Sequence, residues 1–361
     1  MRAALALARR GEGTTSPNPM VGAVVVRRGR IVGQVYHHRA GEPHAEVLAL
    51  RDAGTAARGG DLYVNLEPCC HWGRTPPCVD AIAAAGIRRV FVGIQDPNPC
   101  ISGRGLACMM DRRIAFHVGM MEDESRRLNE RFLKHVATGM PFVVLKGAMT
   151  MDGVIATRDG DSRWITGEAA RRRAHRMRAT CDAVLVGVGT VLADDPSLTV
   201  RLARPRKGQP LRVVLDSRLR IPESAKLLSD GAARTIVVTT ARAPRAKRER
   251  LAARPGVEVI VADTERGHVS LIDALKRLGA REVQSILIEG GAQVHASALA
   301  EGVVDRVAFF YAPRIAGGTA SVHAVAGNGF ARIDQGWILR EVTQRRLGAD
   351  WLVEGRVEAD H

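Results

Sequence analysis

The sequence predicts an α/β protein of two domains. Predicted strands and helices alternate through two blocks of the chain, which is typical of sheets layered with helices. A helix predicted over 121–138 is followed by Gly139 and Pro141, which interrupt regular structure. We therefore expect domains over 1–141 and 142–361, and two domains suit a chain of 361 residues.

The first block begins with a short amphipathic helix. Glycine directly after an apolar periodic run is typical of a helix end, and this places two of the boundaries. The elements that follow are two strands within 21–36 joined by a tight turn at Gly29, a helix from His44 to Gly54, a strand over 61–67, a helix over 78–87 ending at Gly86, and a strand over 89–94.

The second block repeats the alternation. Its predicted strands are PFVVLKGAM, AVLVGVG, LRVVLDS, TIVVTT, QSILIEGG and RVAFFYAP. Its predicted helices are TGEAARRRAHRMRA, LIDALKRLG and GAQVHASALA. The stretch 241–255 is basic and contains two prolines, so it is the most linker-like part of this block.

Composition narrows the class of protein. The net charge is +15, but the arginines are dispersed and their densest runs, 171–178 and 242–250, lack aromatic residues that could stack on bases. We interpret the charge as a solvated surface with some phosphate ligands, and expect no nucleic-acid partner. The chain has no apolar run long enough to span a membrane and no signal-like start, so we expect the cytoplasm and reduced cysteines.

Residues 66–78, LEPCCHWGRTPPC, hold three of the six cysteines. A disulfide, a closed structural zinc site and an open catalytic zinc site are all compatible with them. His44 and Glu46 stand in an H-A-E motif before this segment, and Pro68 precedes Cys69. One histidine, two thiolates, a free coordination position and a nearby carboxylate are what a zinc deaminase needs. We therefore favour the open site, with His44 or His71 plus Cys69, Cys70 and Cys78 as the closed alternative.

The motifs together resemble one family. TTSPNPMVGAVVV, GEPHAEVLAL, LEPCCHWGRTPPC, QDPNP and GRGL occur in the order of the deaminase half of the bifunctional riboflavin-biosynthesis deaminase/reductases. LKGAMTMDG, SRWIT, VGTVLADDPSLTVR, VVLDS and LIEGG resemble the reductase half. The resemblance implies a cytidine-deaminase-like three-layer αβα domain followed by a dihydrofolate-reductase-like α/β domain.

The same resemblance implies two consecutive reactions. Zinc-dependent hydrolysis removes the 2-amino group of 2,5-diamino-6-ribosylamino-4(3H)-pyrimidinone 5′-phosphate, and NADPH then reduces the ribosyl group to ribityl. It implies one zinc ion per chain held by His44, Cys69 and Cys78, with Glu46 as the catalytic proton carrier. A small phosphorylated pyrimidine is the expected partner, in a homo-oligomer that is a dimer or tetramer.

The resemblance also assigns ligand contacts. Substrate positions of the deaminase are Asn18, His37, His71 and Arg74. Cofactor positions are Ala148, Trp164, Thr190, Asp194, Ser217, Gly291, Ala292, Gln293, Val294, His295, Ala296 and Ser297. Substrate positions of the reductase are Ser162, Arg178, Leu198, Arg201 and Glu289. Asp194 and Glu289 are the candidates for a general acid, and backbone N–H groups after Gly290 could bind a pyrophosphate.

The chain departs from the family pattern at a few positions. Cys70 stands where serine is common and Trp72 where histidine is common, and 106–116 lacks the small-residue turn expected before a strand. These changes leave open that the chain is a member of this family in which one of the two activities is lost. They also leave two alternatives outside that function open. One is a nucleic-acid or nucleoside deaminase with an accessory basic domain, and the other is a non-catalytic, metal-stabilised phosphate-binding protein.

Overall fold

The computed structural model of the protein describes residues 1–73, 76–98, 101–203 and 208–358. The chain divides into two compact units, Met1–Met140 and Pro141–His361. Each unit has its own sheet and its own buried apolar core. Within the described residues, no helix combines the length and the apolar character that a membrane crossing requires.

The first unit has one five-stranded sheet. Its strands are β1 (Gly22–Arg27), β2 (Arg30–Tyr36), β3 (Asp61–Leu66), β4 (Arg89–Ile94) and β5 (Ala115–Val118). Its helices are α1 (Arg2–Ala8), α2 (Ala45–Ala53), α3 (Cys78–Ala84), α4 (Arg104–Asp111), α5 (Glu122–Leu128) and α6 (Glu130–Thr138). The strand order is β2-β1-β3-β4-β5, and β3, β4 and β5 are parallel.

Helices cover both faces of this sheet, which confirms the predicted αβα layering. The turn between β1 and β2 has Arg28 and Gly29 at φ 49° and 76°, the positive values of a two-residue type I′ turn. Gly22 approaches α1 so closely that an added Cβ would lie 2.1 Å from the carbonyl oxygen of Ala4. On the other face, apolar residues of α2, α3 and α4 form the main core with β1, β3 and β4.

The second unit has a nine-stranded sheet and two two-stranded sheets. The strands of this unit are β6 (Phe142–Thr150), β7 (Val154–Ala156), β8 (Ala183–Gly187), β9 (Leu211–Leu215), β10 (Thr235–Thr239), β11 (Val257–Val261), β12 (Thr264–Glu265), β13 (His268–Val269), β14 (Ser285–Gly290), β15 (Arg306–Ala312), β16 (Val322–His323), β17 (Leu339–Leu347) and β18 (Asp350–Val357). Strand β7 pairs with β16 and β12 with β13, outside the large sheet. The helices of this unit are α7 (Glu168–Thr180), α8 (Val188–Asp194), α9 (Lys226–Ser229), α10 (Arg245–Ala252), α11 (Leu271–Gly279) and α12 (Ala292–Ala300).

The order of the large sheet is β11-β10-β9-β8-β14-β6-β15-β18-β17. The strands from β11 to β15 are parallel, whereas β18 and β17 are antiparallel additions at one edge. The central parallel strands are nearly continuous apolar runs because helices cover both faces. Their carboxyl ends share one edge of the sheet, which is where ligands bind in open α/β folds.

Three local expectations are wrong. The linker-like stretch 241–255 contains α10, which begins after Pro244, carries an Arg245–Glu249 pair and buries Leu251. The helix predicted over 121–138 is broken into α5 and α6 at Asn129, whose side chain bonds the N–H and C=O of Met20.

The third concerns the turn after α4. The small residue expected before β5 is unnecessary because Arg113 itself takes the left-handed conformation, with φ 56°. The N–H of Arg113 donates to the carbonyl oxygen of Met110, and that of Ile114 to the carbonyl oxygen of Met109. These bonds close the helix in the way that a glycine usually permits.

Candidate functional site

Three potential metal ligands converge in the first unit. His44 lies at the amino end of α2, Cys78 is the first residue of α3, and Cys69 lies in the segment that follows β3. The Nδ1 atom of His44 is 3.2 Å from Sγ of Cys78 and 3.5 Å from Sγ of Cys69. Within the described part of the chain, this is the one group of three His, Cys, Asp or Glu side chains close enough to share an ion.

The cluster fits zinc. Tetrahedral zinc with bonds of about 2.0–2.1 Å to nitrogen and about 2.3 Å to sulfur separates such ligand atoms by roughly 3.6 Å. All three donor atoms lie within 4.8 Å of one another. Three protein ligands leave a fourth position for water, as in catalytic rather than structural zinc sites.

The interaction between the Cys69 and Cys78 thiols favours the thiolate form of Cys69. The hydrogen bond from Cys78 lowers the pKa of Cys69 to about 4, and the same bond raises the pKa of Cys78 well above its usual range. The N–H of Cys78 also donates to Sγ of Cys69 at 3.4 Å. The hydrogen bond to Cys69 raises the pKa of His44 to about 8. A cation bound among these atoms would displace the protons that they share.

Glu46 lies beside the cluster without being part of it. It is in the first turn of α2, only 4% exposed, and its carboxyl group is in hydrogen-bonding contact with the Cys78 thiol. Burial raises the pKa of Glu46. A buried carboxyl with a raised pKa can both accept and donate a proton near neutral pH, which suits general acid–base chemistry.

Two of the predicted substrate residues lie next to the cluster. Nδ1 of His37 donates to the carbonyl oxygen of Pro43 at 3.2 Å, so its Nε2 accepts from the side-chain amide of Asn18 at 3.0 Å. The rings of His37 and His44 meet edge to face, with centroids 5.5 Å apart. Burial lowers the pKa of His37, which keeps the ring neutral. Asn18 and His37 thus form one connected wall beside the ligand His44.

The remaining residues of the cysteine-rich segment diverge from the cluster. Cys70 is not part of the three-residue donor group, although it is adjacent in sequence to Cys69. His71 and Trp72 are exposed, Trp72 by 76%. Arg74, predicted to contact substrate, lies outside the described residues.

Glu67 is a site-forming residue that the sequence reasoning missed. Its carboxylate is 4% exposed and accepts from the N–H groups of Asp96, Gly103, Gly105 and Leu106 at 2.9–3.3 Å. This side chain therefore ties the ligand segment to the QDPNP and GRGL motifs. An acidic residue directly after an apolar strand was the available signal.

Several predicted cofactor positions meet at the carboxyl edge of the second sheet. Gly290 ends β14 and Gly291 is the N-cap of α12, and a Cβ added at either would lie 3.3–3.4 Å from the Thr190 hydroxyl. The end of β8 lies against α12, because a Cβ at Gly187 would be 2.7 Å from the Val294 side chain. Helices α8 and α12 thus begin side by side, next to the two glycines.

Ser217 and Asp194 lie at the same edge of the sheet, and both already make hydrogen bonds within the protein. The hydroxyl of Ser217, which follows β9, accepts from the N–H of Val269 at 3.0 Å. Asp194 at the end of α8 receives the guanidinium of Arg163 on its carbonyl and carboxylate oxygens. Ala148 is a half-buried residue of β6 opposite Phe310 of β15.

The predicted cofactor segment 291–297 forms the N-cap and first turns of α12. Within it, His295 is only 2% exposed, and its Nδ1 donates to the carbonyl oxygen of Ala324 at 2.7 Å. Its Nε2 has no hydrogen-bond partner among the described residues. Burial lowers the pKa of His295 to about 4, so the ring is a neutral acceptor.

Ser162 and Trp164 line a cavity of about 170 Å³ with the end of β6 and the Arg314–Ala316 segment. Trp164 and Ile315 are 62% and 81% exposed, which leaves apolar surface open to a ligand. Arg171 stacks on the Trp164 ring at 4.6 Å. Asp152 anchors the facing segment by accepting from the N–H groups of Ala316 and Gly317.

Two predicted substrate residues of the reductase form a buried ion pair. Arg178 of α7 donates to both carboxylate oxygens of Glu289, at 2.5 and 2.8 Å, and to the carbonyl oxygen of Thr199. Burial opposes ionisation of Glu289, but the charge and hydrogen bonds of Arg178, together with the charges of Lys146 and His175, lower its pKa. Lys146 is near this pair, and burial lowers its pKa. We missed Lys146, although a lysine inside the apolar run FVVLKGAM was a signal.

Leu198 and Arg201, the two further predicted substrate positions, differ in exposure. The Leu198 side chain is 3% exposed and packs in the core, and its backbone φ is 49°. It can therefore offer mainly its backbone to a ligand. Arg201 is exposed, and its N–H donates to Nδ1 of His175 at 3.3 Å.

Both units match described protein families. Residues 1–94 match the cytidine and deoxycytidylate deaminase zinc-binding region, and residues 141–353 match the RibD C-terminal domain. The chain is 46% identical over 330 residues to the riboflavin biosynthesis protein RibD of Bacillus amyloliquefaciens, covering 91% of this chain and 88% of that protein. It is 44% identical to the RibD protein of Aquifex aeolicus, covering 98% and 96%.

Solved structures agree along the whole chain. A crystal form of Acinetobacter baumannii RibD is 36% identical with a TM-score of 0.88, covering 99% of this chain and 97% of that one. A diaminohydroxyphosphoribosylaminopyrimidine deaminase/5-amino-6-(5-phosphoribosylamino)uracil reductase from Thermotoga maritima is 37% identical with a TM-score of 0.86, covering 99% and 97%.

Proposed function

This chain belongs to the RibD family of riboflavin biosynthesis proteins, and we propose that residues 1–141 carry its deaminase activity and residues 142–361 its reductase activity. It is a bifunctional enzyme with a zinc-binding deaminase domain and an NADPH-dependent reductase domain. The proposed substrate is 2,5-diamino-6-ribosylamino-4(3H)-pyrimidinone 5′-phosphate, which loses its 2-amino group before its ribosyl group is reduced. The observation that carries the proposal is the convergence of His44, Cys69 and Cys78 beside buried Glu46.

His44, Cys69 and Cys78 would hold the zinc ion. When bound, zinc lowers the pKa of a water molecule and so provides a nucleophile near neutral pH. Glu46 would carry a proton to the departing ammonia, because its buried carboxyl, whose pKa is raised, can both accept and donate a proton near neutral pH. Asn18 and His37 hold one edge of the pyrimidine, with the neutral His37 ring kept in orientation by Pro43. His71 and Arg74 complete the contacts with this substrate.

When bound, NADPH would supply the hydride that reduces C1′ of the ring-opened ribosylamine. The N-terminal turns of α8 and α12, with Thr190 and Gly291, bind the dinucleotide by their N–H groups. Ala148, Trp164, Asp194 and Ser217 complete its contacts. The forked guanidinium groups of Arg178 and Arg201, with Ser162 and the backbone of Leu198, hold the sugar phosphate. Phosphate bound at Arg178 withdraws that cation from Glu289, which then takes a proton from solvent and passes it to the adjacent nitrogen.

The enzyme works in the cytoplasm as a homo-oligomer, either a dimer or a tetramer. Support for an oligomer comes from β17, the outer strand of the nine-stranded sheet. Its residues are mostly exposed, including Val342 at 55%, and the adjacent Ile338 is 48% exposed. An exposed edge of this length is a ready surface for a second chain.

The test is direct. The zinc-loaded protein is incubated with the pyrimidinone, and ammonia is measured before and after NADPH is added. We expect ammonia first and NADPH oxidation only when the deaminated product is present. Single-stranded DNA and tRNA serve as alternative substrates, and ammonia from either of them, with none from the pyrimidinone, would favour a nucleic-acid deaminase.

A further inference from the structure

Arg171 of α7 is an arginine that the proposed chemistry does not use. Its guanidinium lies over the Trp164 ring, with 4.6 Å between its Cζ atom and the ring centroid. Trp164 is an expected cofactor position and lines the cavity of about 170 Å³ at the end of β6. The stacking therefore connects a helix residue without an assigned role to the wall of a cavity where we expect the cofactor.

The indole of Trp164 depends on this contact for its orientation. The residue is 62% exposed, so packing against neighbours covers only a small part of its surface. Within the described part of the chain, Arg171 is the one cation that stacks on this ring. A cation–π contact at such an exposed site favours the stacked arrangement by about two- to fivefold. The surface that remains uncovered is available to a ligand in the cavity.

The guanidinium of Arg171 is itself held in place. Its Nη1 donates to the carbonyl oxygen of Thr166 at 2.6 Å, and Thr166 is buried. The next N–H group along the chain, that of Gly167, donates to the carboxylate of Asp350 at 2.7 Å. Asp350 begins β18 and is only 3% exposed. The cation that stacks on the indole is therefore anchored to the sheet through the start of α7.

The backbone beside Trp164 is held from another direction. The guanidinium of Arg163 donates to the carbonyl oxygen of Asp194 at 2.9 Å, which ties the preceding residue to the end of α8. One arginine thus restrains the backbone, and Arg171 restrains the ring. An indole that is already oriented spares a ligand the entropic cost of ordering it on binding.

We propose that Arg171 is a positioning residue for the cofactor. It acts through Trp164, by holding the indole against its guanidinium so that the rest of the ring forms a fixed wall of the cavity. This inference rests on the proposed function, in which Trp164 contacts NADPH. Without the arginine the ring is free to turn, and the cofactor must order it on binding.

The first experiment measures NADPH binding to the full-length protein by isothermal titration calorimetry. Arg171→Gln should raise the Kd about two- to fivefold, the factor expected for a lost cation–π contact. The kcat at saturating NADPH should not change, since only binding is affected. Arg171→Lys should fall between the two, because an ammonium keeps the charge but not the planar stacking. Arg172→Gln, at an exposed pair with Glu168 on the same helix, is the matched control and should keep the Kd.

A double-mutant cycle tests whether Arg171 acts through the indole. In a Trp164→Leu background there is no ring to orient, so Arg171→Gln should change the Kd no further. Equal weakening of NADPH binding with and without Trp164 would mean that the arginine acts on the cofactor directly, and the positioning role would be wrong.

A second readout needs neither cofactor nor activity. The near-ultraviolet circular dichroism of Trp164 is obtained as the difference between the unsubstituted protein and Trp164→Leu. Most of this signal should disappear in Arg171→Gln, because a mobile ring has no fixed asymmetric surroundings. An unchanged signal, an unchanged Kd, or a lower kcat with an unchanged Kd would each overturn the inference while the proposed function stands. An unsubstituted protein that binds no NADPH would instead contradict the proposed reductase, and this inference with it.

Discussion

Arg178 and Glu289 form a two-pronged ion pair, with N–O distances of 2.5 and 2.8 Å, between α7 and the end of β14. The side chains are only 13% and 7% exposed, and Lys146 adds a second positive charge nearby. A buried carboxylate between two cations is held ionised in the resting protein. Its proton affinity therefore depends on whether a ligand withdraws one of those cations, for example by placing a phosphate against Arg178.

Glu289→Gln should reduce NADPH oxidation about 100-fold or more, the usual effect of losing a proton-transfer group, and leave ammonia release unchanged. It should also destabilise the second unit by about 3–5 kcal/mol, because Arg178 loses its buried partner. Steady-state assays and urea denaturation measure the two effects. Glu168→Gln, at an exposed pair with Arg172, is the control and should be silent. Unchanged NADPH oxidation in Glu289→Gln would remove this residue from the reaction.

Glu46→Gln should lower ammonia release by about 100-fold or more because the amide cannot carry a proton. The zinc content and NADPH oxidation with the deaminated substrate should not change, since Glu46 is outside the donor group. Metal analysis and the two activity assays check this. Loss of zinc from this variant would instead identify Glu46 as a ligand.

Cys70→Ser should keep zinc, whereas Cys69→Ser should lose most of it at micromolar protein concentration. The reason is that only Cys69 belongs to the donor group with His44 and Cys78. Zinc is measured by atomic emission after gel filtration. Zinc loss in Cys70→Ser would revive the closed structural site.

Glu67→Gln should destabilise the first unit by about 3 kcal/mol. The amide nitrogen would face two N–H donors that a carboxylate oxygen now accepts, and each charged hydrogen bond contributes about 1.5–3 kcal/mol. Chemical denaturation of the zinc-loaded protein gives the value. Glu122→Gln, at an exposed pair with Arg126, is the matched control. Equal stability of the two variants would contradict the anchoring role.

His295 should make stability fall in mild acid. Its folded-state pKa is about 4, below the ordinary 6.5, so the unfolded chain binds more protons between these values. Stability is retained above pH 6.5 and falls by about 3 kcal/mol as pH drops to 4. The pH dependence of unfolding in His295→Asn should be flatter by this amount. His268→Asn, at an exposed position, is the control and should follow the unsubstituted protein.

The sequence predicted the parts of the site whose chemistry is local. The H-A-E motif and the spaced cysteines identified a zinc donor set, and the structure brings His44, Cys69 and Cys78 together. Apolar runs predicted most of the parallel strands of both sheets, but β11 at the edge of the large sheet was missed. Strand β17 was missed because its exposed face carries charged residues and lacks an apolar alternation. The break at Asn129 was missed because it depends on a contact with Met20, which is distant in the chain.

The contacts that support the site were less predictable. Glu67 resembles an ordinary acidic residue after a strand, and only the fold shows that four N–H groups converge on it. The packing of α4 against the ligand segment depends on Gly105, where an added Cβ would lie 2.0 Å from the carbonyl oxygen of Pro68. Leu198 carries a family match, yet its burial shows that its side chain serves the core. Long-range packing, rather than residue type, decides each of these.

The presence of two complete sheets in one polypeptide has a consequence for metabolism. Every ribosome that finishes the chain delivers one copy of each catalytic centre, so gene expression cannot change their ratio. The balance between production and consumption of the intermediate must then be set by the relative turnover rates of the two centres. Selection on flux would act on side chains within each unit and not on dosage.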